Sequence, residues 1–110
     1  MANTFKNKQA VNVGTSTVSV YTVPSSTTTT LIGLTLANVS GASITATVAV
    51  TDTSASTTAS IIKNAPIPVG SSLVACGGDQ KVVLETTDIL KVTASAANSV
   101  DAIVSYMEQT

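Results

Sequence analysis

Over most of its length this chain alternates aliphatic residues with threonine and serine, and that two-residue period limits the fold more than any other feature. The stretch Ser43 to Thr51 (SITATVAVT) is its clearest case. Successive side chains of a strand point to opposite faces, so this pattern puts Ile44, Ala46, Val48 and Val50 on one side and hydroxyls on the other, as a half-buried β-strand requires. The pattern predicts an all-β protein.

Composition sharpens what such a protein can do. The chain has 110 residues, enough for one domain with a core of its own. Only 10% of residues are charged while 44% are hydrophobic, against roughly a quarter charged in ordinary soluble domains. Its surface must therefore be clad in Ser, Thr, Asn and Gln. With a net charge of −1 it lacks the self-repulsion that keeps copies apart, so packing against copies or partners is the expected use of its surface.

Several function classes are excluded or disfavoured. There is no histidine, which removes histidine-centred triads and histidine-ligated metals. Asp52, Asp79, Asp88 and Asp101 fall in or beside turns and read as caps for backbone amides, and no calcium-loop spacing is present. Glu85 and Asp88 form a possible carboxylate pair for glycoside chemistry, but aromatics make up 3% of the chain and sugar clefts need aromatic platforms. No catalytic, cofactor-binding or metal-binding residues are expected, and no cofactor. The basic residues Lys6, Lys8, Lys63, Lys81 and Lys91 neither cluster nor interleave with aromatics, so nucleic acid is not an expected partner. No apolar run approaches the roughly 20 residues of a membrane span, and the N-terminus has no hydrophobic signal segment, so the chain is expected to be made in the cytoplasm without membrane contact. Cys76 reads as a small buried hydrophobe, with no histidine or adjoining base to activate it. Asn38-Val39-Ser40 fits a glycosylation acceptor but is expected to act as a turn.

The expected organisation is an N-terminal arm over residues 1–9 and a single β-sandwich domain over residues 10–110. The arm is polar around one aromatic, Phe5, and is ordered only if it docks on something. Val11, Val13, Val18 and Val20 predict a strand or a broken pair, with Gly14 as a bulge or bend. Val23-Pro24-Ser25-Ser26 interrupts it. A strand through Ile32, Leu34 and Leu36 is expected to form a hairpin with Ser43–Thr51 across Asn38–Gly41. A short strand follows at Ala59–Ile62, then a proline-pinned extended connection from Asn64 to Ser72. Leu73–Cys76 and Lys81–Leu84 are expected to pair across a Gly77-Gly78-Asp79 turn. Ile89–Ala94 and Val100–Tyr106 complete about eight short strands, an antiparallel sandwich of jelly-roll type. Tyr21 and Tyr106 either cover the sandwich ends or sit at a subunit contact.

The segments NAPIPVGSSLV (64–74), GDQKVVLE (78–85) and DILKVT (88–93), together with MANTFKN (1–7) and VYTVP (20–24), resemble small β-sandwich virion structural proteins of tailed phages, particularly marine and cyanobacterial ones. In those proteins the residue before Asp88 is commonly a glycine, whereas this chain has Thr87. The resemblance implies a non-enzymatic bacteriophage component located in the virion. It is most of all a capsid decoration or cement protein that self-associates, with a trimer favoured, and binds the major capsid protein or other virion proteins. A neck or tail component is the alternative, and a receptor- or glycan-binding module at a fibre tip the reading from another class. Candidate interface residues are Phe5, Lys6 and Lys8 on the arm, with Tyr21 and Tyr106.

Overall fold

A computed structural model describes residues 2–77 and 81–110. Among these, nine strands form: β1 (Asn3–Val13), β2 (Val18–Thr22), β3 (Thr28–Asn38), β4 (Ile44–Asp52), β5 (Thr57–Ile67), β6 (Ser72–Cys76), β7 (Val82–Leu84), β8 (Ile89–Ala94) and β9 (Val100–Gln109). One sheet has the order β1-β9-β3-β6 with β7 also on β3, and the other β2-β8-β4-β5, all neighbours being antiparallel. Setting β7 aside, this is jelly-roll order, and the expected all-β sandwich is what the chain adopts.

The alternation explains the burial. In β9 the residues Val100, Ala102, Val104, Tyr106 and Glu108 point inward while the intervening ones face out. In β4 Ile44, Ala46 and Val48 do the same from the opposite sheet. Between them lie Leu31, Leu34, Leu36, Ile67, Leu84, Leu90 and Val92, all fully buried. Each such side chain contributes about 1.5–3 kcal/mol relative to its exposed state.

The pairing of neighbouring elements differs from the expectation in several places, and jelly-roll topology is the common reason. β3 and β4 do not form a hairpin. They lie in different sheets, and the chain crosses between them at residues 39–43. The hairpin is instead β4 with β5, turning where Asp52 Oδ1 accepts from Ser54 Oγ and from the Ala55 amide. β5 is longer than the short strand expected and runs through Pro66, which is tolerated because β5 is an edge. β6 and β7 do not pair with each other either. They lie one after the other along the same side of β3, at Leu34–Ala37 and Thr29–Leu31. Of the turn expected at Gly77-Gly78-Asp79, Gly78 and Asp79 lie outside the described residues.

Two local corrections follow. The bulge expected at Gly14 sits at Asn12, which has φ 56° where the β1–β9 register shifts, and the Asn12 amide donates to Asp101 Oδ1 at 2.9 Å. Gly14 serves close packing instead: a Cβ there would stand 3.3 Å from Ala97 Cα and 3.4 Å from the Asn98 nitrogen. Residues 3–9, expected as an arm, form the first part of β1, paired with β9 from Asn3↔Gln109 to Gln9↔Ile103. The strand continues unbroken past residue 9.

Asn38 closes the far end of the sandwich. Buried at the end of β3, its amide donates to the carbonyls of Ala42 and Ile67, and its Oδ1 accepts from the Ser40 amide and hydroxyl. The residue that fits a glycosylation acceptor is therefore a fully bonded internal staple.

Candidate assembly surface

The five candidate interface residues separate into two groups. Tyr21 and Tyr106 are core residues, 3% and 2% exposed, with ring centroids 4.2 Å apart and planes tilted by 37°. Burial settles the choice left open in the sequence: both sit inside the sandwich and neither reaches the surface. Phe5, Lys6 and Lys8 are exposed on β1.

One carboxylate ties these groups together. Tyr21 Oη donates to Glu108 Oε2 at 2.6 Å, and since that uses its only proton, the Thr29 hydroxyl at 2.7 Å donates to Tyr21. Lys6 Nζ stands 2.9 Å from Glu108 Oε1. The Tyr21 hydrogen bond first, and then Lys6, hold the Glu108 carboxyl below the usual glutamate range. Burial and the hydrogen bond to Glu108 push Tyr21 up, and the bond to Glu108 raises Lys6. The charge of Lys6 is therefore balanced by a carboxylate of the neighbouring strand β9. Nothing in the sequence pattern showed this set, because its members are spread from residue 6 to residue 108.

Asp52, Glu85 and Asp88 bring three carboxylate oxygens within 4.8 Å of one another. Asp88 is buried and its oxygens accept from the Thr53 and Glu85 amides, while Asp52 caps its own turn as described. The two aspartates are spent on backbone amides, which is turn-capping. No pocket opens among the described residues.

The outward faces of the two sheets differ sharply. On the four-stranded sheet, Thr45, Thr47 and Thr51 of β4 face out beside Thr93 and Lys91 of β8 and Thr58 and Ser60 of β5. Its hydroxyls bond among themselves, Thr17 to Thr93 and Thr51 to Thr58, each at 2.9 Å. On the five-stranded sheet the register aligns three rows across the strands. The first is Phe5, Met107, Thr30 and Val83; the second Asn7, Ser105 and Gly33; the third Gln9, Ile103, Thr35 and Val74. Phe5 is 72% exposed, Val74 64%, Val83 60% and Ile103 48%. The rows hold no charged side chain. Two rows carrying Phe5, Met107 and Val83, and Ile103 and Val74, thus flank a row of Asn7, Ser105 and Gly33, on a face left exposed among the described residues. Sequence reading picked out Phe5 alone of these residues, since alternation shows which residues face out but not which strands stand side by side.

No family model matches the sequence, and no curated protein matches it. Among solved structures, the chain is similar to a subunit of the disulfide-linked pili that form Bacillus endospore appendages. The identity is 12% and the TM-score 0.54, covering 100% of this chain and 91% of that one. A second match, at 12% identity and TM-score 0.46, is to a chain of infectious bursal disease virus Gt strain, covering 98% of this chain and 30% of that one. The pilus subunit shares the fold.

Proposed function

We propose that this chain is a non-enzymatic structural protein of a bacteriophage particle, a capsid decoration or cement protein that self-associates and binds the shell. The observation that carries this reading is the outer face of the five-stranded sheet, where Phe5, Ile103, Val74 and Val83 stand exposed in rows without charged side chains, on a molecule whose other face is hydroxyl-clad. Contiguous exposed apolar surface of this kind marks contact with another macromolecule. Uncharged rows can be buried without desolvating ions, and contacts repeated over many copies gain strength by multivalency.

Other features support the same reading. Of the clustered carboxylates, Asp52 and Asp88 cap turns, and the chain has no histidine to serve as their acid–base partner. Both tyrosines are buried, which leaves Phe5 as the exposed aromatic and weighs against a glycan-binding tip. The fold is one from which a spore pilus is built. That pilus is disulfide-linked, whereas the single cysteine here, Cys76, is 1% exposed, so association of this chain runs through noncovalent contact.

Cryo-EM of purified particles tests the proposal. Copies of this domain at regular lattice points over the shell are expected. Density confined to the neck or tail axis would move the protein to the alternative location, and its absence from the particle would overturn the reading.

A further inference from the structure

The first half of β1 is a sheet edge whose outward backbone groups have no partner among the described residues. Ala2 and Thr110 exchange both of their backbone bonds, at 3.1 and 3.0 Å, and from Asn3 to Ala10 the β1–β9 register runs without a shift. In an antiparallel ladder such mutually bonded pairs alternate with pairs whose amides and carbonyls point away. The backbone groups of Thr4, Lys6, Lys8 and Ala10 are therefore turned to β9, and those of Asn3, Phe5, Asn7 and Gln9 to the open side, where β1 has no neighbour. Residues 3–9 are also exposed on both faces. A long regular edge is a template for another strand, and proteins ordinarily blunt one by shortness, bulges or proline. The edges of the other sheet are blunted in that way: β2 has 5 residues and a register shift at Ser19/Tyr21, and β5 carries Asn64 at φ 52° and Pro66. Residues 3–9 carry none of these devices.

We propose that a second copy of this chain pairs its own β1 antiparallel to this edge, about a two-fold axis at Phe5. The inference rests on the self-association part of the function proposed above and names the edge that serves it. Bond direction and charge together favour a second copy and select the register. Outward groups must meet outward groups, so the axis passes through a residue and never between two. An axis at Lys6, Asn7 or Lys8 would set lysine straight opposite lysine, which destabilises a ladder. At Gln9 the pairing would run into the bulge at Asn12, and at Asn3 or Thr4 it would be shorter. At Phe5 the strands pair from Ala2 to Lys8, with Lys6 opposite Thr4 and Lys8 opposite Ala2 of the second copy. Phe5 then bonds Phe5, and Asn3 bonds Asn7, in about six backbone hydrogen bonds. The exposed Phe5 rings come side by side on the outer face, where a cross-strand aromatic pair adds to the ladder. Lys6 brings no unbalanced charge to the other face, since Glu108 holds it. A two-fold contact joins copies in pairs, so a three-fold count would need a further surface.

Cysteine crosslinking and sedimentation velocity on the full chain test this. Residues of a mutually bonded pair have Cα atoms about 5.5 Å apart, within disulfide reach, so Phe5→Cys is expected to give a covalent dimer under mild oxidation on a non-reducing gel. Asn7→Cys is expected to give almost none, because the two copies of residue 7 would lie about 13 Å apart along the strands. The native Cys76 is buried in both variants. Asn7→Pro removes an amide that points away from β9, so the monomer is expected to keep its circular dichroism spectrum while association weakens about tenfold or more. Crosslinking by Asn7→Cys in place of Phe5→Cys would overturn the register. If the unmodified chain associates but Phe5→Cys does not crosslink and Asn7→Pro associates equally well, the edge is wrong and self-association stands. A chain that stays monomeric at high concentration, and whose Asn7→Pro variant no longer joins particles, would give the edge to a strand of another protein and overturn the second copy. A monomeric chain whose Asn7→Pro variant joins particles as before would overturn the edge together with the self-association part of the functional reading.

Discussion

The Tyr21 hydroxyl donates to Glu108 across the sandwich, at 2.6 Å, so a carboxylate on β9 of one sheet is held by a phenol on β2 of the other. The same carboxylate binds Lys6 of β1, which makes it the anchor for the first half of that edge strand. Tyr21→Phe removes a hydrogen bond to a buried charged group, worth about 1.5–3 kcal/mol. The expected outcome is a lower melting temperature together with faster hydrogen exchange over residues 3–9.

The pH dependence follows from the same group. Because the Glu108 carboxyl titrates below its ordinary value in the folded state, its stabilising effect is complete above the usual glutamate range near 4.3 and disappears as pH falls through the lowered value. Denaturant titrations between about pH 5 and pH 2 should show a steeper loss for the unmodified protein than for Glu108→Gln. Tyr21 has the opposite sign: its raised pKa means stability is complete below about pH 10 and declines as pH rises beyond it.

Thr87 is the third residue of the Glu85–Asp88 turn, closed by the Asp88 amide on the Glu85 carbonyl at 3.0 Å, and its φ is 70°. A β-branched residue is strained there, while a type II turn favours glycine at that position. Thr87→Gly is expected to stabilise the fold by about 0.5–1 kcal/mol, seen as a higher midpoint in urea.

Asn38→Ala should be among the costlier single changes at the ends of the sandwich. It removes two donated and two accepted hydrogen bonds and leaves the buried Ile67 carbonyl without its side-chain donor. A loss of about 2–3 kcal/mol is expected in chemical denaturation.

Gly14→Val should destabilise by about 1–3 kcal/mol, since the new side chain meets backbone of Ala97 and Asn98 that cannot swing aside.

How far the sequence could be read depends on what a two-residue period encodes. It tells which side chains face the core, so Ile44, Val48, Leu90 and Val104 were legible as buried and the all-β sandwich followed. It does not tell which sheet a strand joins, so β3–β4 and β6–β7 read as hairpins while the chain in fact crosses or runs on along β3. Residues 3–9 read as an arm because both of their faces are polar; as an edge strand beyond the cover of the other sheet, they need no buried face. Pro66 suggested a connection, yet an edge strand does not require the missing amide. The apolar outer face was illegible for the same topological reason, since Phe5, Ile103, Val74 and Val83 come together only once β1, β9, β3, β6 and β7 are set in order.

The most direct test of the account is the mass of the unmodified protein in solution, followed by sedimentation equilibrium from about 1 µM to about 1 mM, a range that spans weak to moderate affinities. The account predicts a weight-average mass that climbs from the 11.0 kDa of a single chain towards at least twice that value as concentration rises. A mass fixed at 11.0 kDa throughout would contradict it.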